Sequence, residues 1–491
     1  MTTTDLELHR RRRWAVLATC CLSLLIVGLD NTIMNVALPS LGRDLHADVA
    51  GLQWAVDAYV LAFASLLVLG GSLADRFGRR RVFRIGLTTF SAASLLCSLA
   101  PGLGWLVGFR VLQGMGASML NPVAMSIITN TFVDRRERAR AIGVWGAVVG
   151  ISMALGPVVG GLLVSSVGWP SIFWINVPVG VTALVLTWWF VPESRAARAR
   201  RLDPVGQALM IALLAATTAS IIEAPRLGWT APGTLGLAGL GLLAGVSFVT
   251  YELRRREPLL ELRFFRSAPF SGATLIAVAA FGGFSGFLFL NTLYLQDVRG
   301  MSALAAGLYT LPMALPVILC SPLSGRLVAA RGPRLPLVVA GVLLTAGALM
   351  LTGLDENTSR AWLVTSYVVF GAGFGAVNAP ITNTAVSGMP LARAGVAAAI
   401  ASTSRQVGQL LGVAVIGTVV SSVAGSTLAV RVLAAGAGWW IVTGCGLLVL
   451  VLAVLSTGRW ARATAARTAE LIGAADEEES MARAAKVGVT A

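Results

Sequence analysis

The chain has 491 residues, of which 56% are hydrophobic and 12% charged, and its mean hydropathy is +0.79. Soluble proteins carry about a quarter of charged residues, so this composition excludes an ordinary soluble enzyme and indicates a chain that crosses a membrane many times. A formal charge of +15 raises nucleic acid as a partner, but the placement of that charge gives it another meaning.

A bilayer span takes about 20 mostly apolar residues. Windows of that size fall near residues 14–38, 52–74, 82–99, 105–130, 141–164, 170–191, 204–223, 232–251, 269–294, 303–325, 335–353, 361–383, 396–423 and 436–456. The expectation is an all-α integral membrane protein with fourteen spans. The first window follows Arg10, Arg11, Arg12 and Arg13, yet it is longer than the apolar region of a secretory signal and many windows follow it, so it reads as a retained span. With the N-terminus placed in the cytoplasm, only Arg43, Arg226, Arg299, Arg360 and Arg431 of the 38 basic residues fall outside, and Arg110 and Arg405 fall within spans. That is the positive-inside bias, which puts both termini in the cytoplasm and removes the need for nucleic acid. The expected location is the inner (cytoplasmic) membrane, multi-pass, with the lipid bilayer as surroundings and a monomer as the unit.

Exclusions narrow the energy source. Lys486 is the only lysine and no G-x-x-x-x-G-K-[ST] loop exists, which argues against a P-loop pump in this chain. Gly114-Met115-Gly116 and Gly371-Ala372-Gly373-Phe374-Gly375 lie inside apolar spans, where small residues let helices approach. Cys20, Cys21, Cys97, Cys320 and Cys445 lie in spans without metal-ligand spacing, and His9 and His46 lie outside the membrane. No metal and no cofactor is expected, which leaves an ion gradient as the energy source.

The chain repeats itself. Gly71-Ser72-Leu73-Ala74-Asp75-Arg76-Phe77-Gly78-Arg79-Arg80, after the second window, is echoed by Gly325-Arg326-Leu327-Val328-Ala329-Ala330-Arg331-Gly332-Pro333-Arg334, after the tenth. Gly114-Met115-Gly116-Ala117 is echoed by Gly373-Phe374-Gly375-Ala376 at nearly the same offset. Two six-span bundles follow, residues 1–200 and 265–457, joined by two extra spans and a loop in 201–264 and trailed by a cytoplasmic tail in 458–491. Repeated bundles are a transporter plan with the ligand site between repeats.

Asp30 interrupts the first window between Leu29 and Asn31, and a carboxylate at that depth marks a path for protons, ions or substrate. It lies ~24 Å along its span from the inner end at ~1.5 Å per residue, and Asp57 and Arg110 enter the second and fourth spans from outside to a similar layer. Desolvation raises the pKa of a buried carboxylate and a nearby arginine lowers it, so Asp30 and Arg110 form a candidate proton-coupling pair, with Asp57 sharing the proton or meeting substrate. A static ion pair locking the spans is the other reading of the same residues.

Four motifs resemble the fourteen-span drug/proton antiporters of the major facilitator superfamily. Leu29, Asp30, Thr32, Asn35, Ala37, Leu38 and Pro39 match L-D-x-T-x-x-N-x-A-L-P, and Gly71, Leu73, Ala74, Asp75, Arg76, Gly78, Arg79 and Arg80 match G-x-L-A-D-R-x-G-R-[KR]. Arg110, Gln113, Gly114 and Gly116 match R-x-x-Q-G-x-G, and Gly156, Pro157, Gly160 and Gly161 match the antiporter pattern G-P-x-x-G-G, with Ser152 where an upstream glycine is usual. The resemblance implies the major facilitator fold and protons exchanged for a small-molecule substrate. It implies further that Gly71, Asp75, Arg76, Gly78 and Arg79 form a conformational latch, Asp75 pairing with Arg79 or facing a helix N-terminus of the other half. It also makes Gly156, Pro157, Gly160 and Gly161 a hinge or seal; packing of small residues explains their spacing equally well.

Asp57, Asn35, Gln113, Asn378 and Arg405 are candidates for the substrate cavity, and Trp54, Tyr59, Phe284, Phe287, Phe289 and Tyr294 supply aromatic surface for a pocket or for lipid. Glu223 reads as a solvated acid at headgroup level, and Asn378, Asn383, Arg405 and Gln406 also suit interhelical hydrogen bonds. The resulting expectation is no enzyme but a proton-coupled antiporter exporting lipophilic or amphipathic drugs or antibiotics. The alternatives are a dedicated exporter of one metabolite, a proton symporter, and a non-transporting receptor or scaffold.

Overall fold

In a computed structural model the described residues, 3–196, 202–255, 257–387, 389, 393–422 and 428–472, are helical throughout apart from short connections, with no strand among them. The acidic run Asp476 to Glu479 of the expected tail lies outside the described residues. The helices are α1 (Thr3–Asp44), α2 (Val49–Phe77), α3 (Arg79–Ser98), α4 (Leu103–Thr131), α5 (Arg135–Ser166), α6 (Ser171–Trp174), α7 (Asn176–Phe190), α8 (Pro204–Leu227) and α9 (Pro232–Arg254). They continue with α10 (Ala268–Leu293), α11 (Ala303–Tyr309), α12 (Leu311–Arg331), α13 (Arg334–Leu349), α14 (Arg360–Val386), α15 (Ala394–Ser421) and α16 (Leu428–Ser456).

Local chemistry sets the boundaries. Asp48 opens α2 by accepting the Gly51 N–H at 2.8 Å, and Asp134 opens α5 by accepting those of Arg136 and Glu137, both at 2.9 Å. Between α2 and α3 the chain turns at Gly78, whose φ of 108° suits glycine alone, and an added Cβ there would press on the Glu193 carboxyl.

Every apolar window of the sequence lies on a helix, the sixth on α6 and α7 together and the tenth on α11 and α12 together. Eleven of these described segments are long and apolar enough to cross a membrane. The three that differ have physical reasons. α13 is a shorter apolar helix of 16 residues, α3 begins with Arg79, Arg80, Arg81 and Arg84, and α15 carries Ser402, Thr403, Ser404, Arg405, Gln406 and Gln409 through its middle.

Neighbour relations repeat along the chain. α4 packs on α1, α2 and α3, while α1 also takes α5 and α7; α14 packs on α10, α12 and α13, while α10 also takes α15 and α16. α8 and α9 pair with each other, and α8 lies against both α2 and α15. The two groups meet along α2 with α15 and α5 with α11 and α12. One end of the assembly carries Arg12, Arg13, the Arg79 to Arg81 turn, Arg136 and Arg138, and is called here the basic end; the opposite one is the far end.

Glycine spacing determines how closely these helices approach. At Gly116 an added Cβ would sit 2.6 Å from the Phe90 N and 3.0 Å from the Gly86 O of α3, whereas at Gly104, on the same helix, it would meet nothing within 4 Å. Gly116→Ala is therefore expected to lower the thermal midpoint through overpacking of about 1–3 kcal/mol. Gly104→Ala is expected to raise it by the helix preference of alanine, about 0.5–1 kcal/mol. Parallel melts of the two purified variants check both signs.

Candidate functional site

Gln113 of α4 and Asn176 of α7 converge with Arg110 on the Asp30 side chain of α1, and Ser94 of α3 accepts from both amides. Arg110 Nη1 donates to Asp30 Oδ2 at 2.5 Å, and each residue is 1% exposed. Gln113, three residues on and hence on the same face of α4, donates through Nε2 to Asp30 Oδ1 at 2.8 Å and to Ser94 Oγ at 2.8 Å. Asn176 Nδ2 adds a third donor to Asp30, at 3.1 Å. Arg110 is held in turn: Nε donates to the Ala55 carbonyl of α2 at 3.0 Å, Nη1 to Gln113 Oε1 at 2.8 Å, and the guanidinium carbon stands 4.3 Å from the Tyr59 ring centroid. A buried ion pair survives only when its remaining lone pairs and protons are matched, and this one is matched by four helices.

The sequence places Asp30 and Arg110 together and the structure does the same. Asp57 takes no part in the network. It is fully buried and neither carboxylate oxygen has a hydrogen-bond partner. It lies one helical turn from Gln53 on the face of α2 that meets α15. Gln53 Nε2 donates to the carbonyls of Ala414 at 2.7 Å and Val413 at 3.4 Å, so it joins the two groups of helices. An added Cβ at Gly417 would press on the Gln53 side chain, which explains the glycine.

This junction belongs to a wider far-end seal. Gln296 Nε2 donates to the Val36 carbonyl of α1 at 2.9 Å. On α5, added Cβ atoms at Gly160 and Gly161 would stand 2.7 Å from Ile33 of α1 and 2.5 Å from the Ala303 carbonyl of α11 respectively. Gly156 faces Thr32 of α1, and Gly307 of α11 faces the Pro157 carbonyl. The four residues of the antiporter pattern thus pack α5 between its own group and the other one. Ser152 fits where the usual glycine is missing because Gly28 opposite it has no side chain.

α8 completes the seal. Trp54 Nε1 donates to Glu223 Oε1 at 2.8 Å, and Thr418 Oγ1 of α15 donates to the Ile221 carbonyl at 2.8 Å. Glu223 is thus bonded while still partly exposed, and it also stands 3.9 Å from Arg226; the tryptophan that holds it is far from it in sequence.

At the basic end, Asp75 accepts from Arg79 Nη2 at 3.1 Å. The rest of that turn is fixed to the strand-like exit of α7: Arg79 N donates to the Ser194 carbonyl at 2.8 Å, Arg80 Nη2 to the Trp188 carbonyl at 2.6 Å, and Arg80 N to Glu193 Oε1 at 3.1 Å. Gly71 lies against Pro122 of α4, and the Arg76 guanidinium stands 5.7 Å from the Phe77 ring centroid. The contacts of Asp75 and its turn stay within one group of helices.

Among the cavity candidates, Asn35 is buried and donates to the Asn31 carbonyl at 3.4 Å, and Gln113 belongs to the ion-pair network. Asn378 and Arg405 are half-buried and adjoin each other. The aromatic residues are placed differently from a pocket lining: Phe284 stacks on Phe374 at 4.0 Å, Phe287 stacks on Phe370 at 4.6 Å, Phe289 is buried, and the Tyr294 hydroxyl donates to the Asp355 carbonyl. They form the core of the second group because α10 is buried on nearly every side. Gln53, Ser94, Asn176, Glu193 and Gly417 were not legible as site residues; Gln53 and Asn176, amides inside apolar windows, carried the usable signal.

A sequence model described as the Major Facilitator Superfamily matches residues 20–413. The chain is 38% identical over 415 residues to the tetracenomycin C resistance and export protein of Streptomyces glaucescens, spanning 84% of this chain and 77% of that one. It is 37% identical over 407 residues to multidrug resistance protein Stp of Mycobacterium tuberculosis, spanning 83% and 76%. It is likewise 37% identical over 423 residues to puromycin resistance protein pur8 of Streptomyces alboniger, spanning 85% and 84%. Two solved structures share the fold, both with a TM-score of 0.64: a bacterial homolog of the human lysosomal transporter Spinster in an inward-facing and occupied conformation, at 16% identity, and a D-xylose–proton symporter, at 15%. They cover 92% and 90% of this chain, and 97% of each of their own.

The network makes a sharp stability prediction. Asp30→Asn strands the Arg110 charge, and breaking a buried pair from one side costs about 3–5 kcal/mol. Arg110→Gln in the same background removes the stranded charge and is expected to restore part of the loss. Thermal midpoints of the single and double variants test this as a cycle.

Proposed function

Because the chain belongs to the Major Facilitator Superfamily, we propose that it is a proton-driven antiporter that exports lipophilic or amphipathic small molecules across the cytoplasmic membrane. The observation that carries the reading is the Asp30–Arg110 pair, an acid and a base held together within apolar helices, where such groups are functional by default. The relatives named for drug and antibiotic resistance support export as the direction of transport. Positive-inside charge supports placing the basic end in the cytoplasm, with fourteen spans and both termini on that side. The domains proposed from the sequence, 1–200 and 265–457, then rock against each other, with 201–264 as the linking pair.

In this arrangement the far end is the outer side, closed by Gln53, Gln296 and the α5 glycines, so the substrate site faces inward. Asp30 accepts three hydrogen bonds and Arg110 supplies one of them, so a proton carried by Asp30 competes with Arg110 for the same carboxylate. That competition ties the proton to the contacts between α1 and α4. Asp57 lies beneath the Gln53 junction, and opening of that junction is what brings water to its carboxylate; it takes or shares the proton in the outward-facing state. Asp75 and Arg79 latch the α2–α3 turn to α7 at the basic end, and the set of their partners changes when that end closes. The energy comes from the proton gradient, without a cofactor.

Everted vesicles test the reading. Respiration acidifies their lumen, and a transported compound added outside is expected to drive protons out and alkalinise it. Asp30→Asn is expected to abolish the signal per molecule of folded protein, and Asp30→Asn with Arg110→Gln, the more stable double variant, to leave it abolished. A flat trace across a broad panel of antibiotics and dyes overturns the reading, and further acidification of the lumen would indicate symport.

The seal makes a separate prediction. Gly161→Leu wedges a side chain against the Ala303 carbonyl, and an overpacking cost of about 1–3 kcal/mol falls on the outer-closed state alone. Transport is expected to drop by about tenfold with the protein still folded, measured as export rate per molecule in the same vesicles.

A further inference from the structure

Arg405 stands apart from every other charge in the second group of helices. Between residues 268 and 456 the acids are Asp297, Asp355 and Glu356, all on far-end connections, so no carboxylate shares the interior with it. Its Nη2 donates to Thr382 Oγ1 at 2.5 Å and to the Asn378 carbonyl at 3.4 Å, both neutral acceptors on α14. Its Nε has no partner, and its guanidinium carbon lies 5.8 Å from the Phe281 ring centroid on α10. A guanidinium offers five N–H donors, so most of its capacity is unspent.

Its position is as telling as its chemistry. α10 and α14 touch directly through Phe281, Phe284 and Phe374, while α15 flanks α10 and α12 flanks α14. Arg405 reaches from α15 past Phe281 of α10 to Thr382 of α14, and the residue as a whole is half-buried. In the first group, Asp30 is taken up by Arg110 and Asp57 is fully buried at the far-end junction, and neither is an ion-pair partner of Arg405.

We infer that Arg405 is the charge-selecting residue of the substrate cavity, and that the transported molecule is an amphipathic organic anion whose ionised carboxylate, phenolate or enolate pairs with this guanidinium. The inference rests on the transport reading above and adds the charge of the cargo to it. An unpaired cation inside a membrane protein is costly, and a cargo that brings the missing negative charge recovers that cost only when it is bound. Planar, bidentate recognition of a carboxylate is what arginine does and lysine does poorly.

Equilibrium binding to the purified full-length protein tests this without a proton gradient. Two xanthene dyes of similar shape and opposite charge, fluorescein and rhodamine 123, are titrated and followed by anisotropy. The wild type is expected to bind fluorescein more tightly. Arg405→Gln is expected to weaken fluorescein by about tenfold, the scale of one charge-assisted contact, while rhodamine 123 affinity holds or rises. Arg405→Lys is expected to fall between. Retained rhodamine binding and an unchanged thermal midpoint certify that the variant is folded. Fluorescein affinity within twofold of wild type, equal loss of both dyes, a variant that fails to fold in both the Gln and Lys forms, or a wild type that prefers rhodamine 123 overturns the inference. Vesicle measurements separate the two readings: proton exchange with charge-blind binding sinks this one alone, and anion binding without proton exchange sinks the antiport.

Discussion

A carboxylate and a guanidinium out of reach of water hold five helices, α1, α2, α3, α4 and α7, in register. In a medium of low dielectric each charge alone costs several kcal/mol, and their attraction offsets that cost only with good geometry and matched hydrogen bonds. Asp30 meets this condition by drawing donors from α4 and α7, and Arg110 meets it by reaching the Ala55 carbonyl of α2. Ser94 ties α3 to the same cluster through Gln113. Such a network has few intermediate states. It is either whole or it has released a helix, and that discreteness is what a transporter needs to tie an ion to a movement.

The seam between the two groups is built on a different principle. Its contacts are amide side chains on backbone carbonyls and glycines against backbone, each modest in energy, with the buried Asp57 carboxyl beside them. A surface of this kind can part and reform without a large barrier. α8 is bonded to α2 at both of its ends, by Gln207 to the Ser65 carbonyl and by Glu223 to Trp54, but to α15 near the far end, through Thr418. The extra pair is thus anchored to the first group and can let go of the second, so its presence need not impede the seam.

Much of this was readable from residues alone, and the failures are instructive. The spans emerge from hydropathy because burial in lipid demands it, and the Asp30–Arg110 pairing follows from counting depth along two helices. Depth carries no information on rotation, which is why Asp57, at the same level, could not be separated from the pair although it faces α15. The aromatic residues of α10 show the same limit: an apolar helix buried all round looks identical to one that lines a pocket. Glu223 and Glu193 find partners more than a hundred residues away, beyond any local pattern. α3 and α13 differ from full spans in an arginine-rich start and in shortness, and α15 in the polar run Ser402 to Gln409 through its middle.

An arginine that awaits an anion also alters the electrical arithmetic of exchange. When an anion leaves as a proton enters, both movements carry positive charge inward, and one exchange displaces two elementary charges down an interior-negative potential. Each is worth about 2.3 kcal/mol per 100 mV. A cation leaving for one proton would displace none and would draw on the pH difference alone. Arg405 would thereby make the membrane voltage, even at equal pH on both sides, sufficient to drive the cycle.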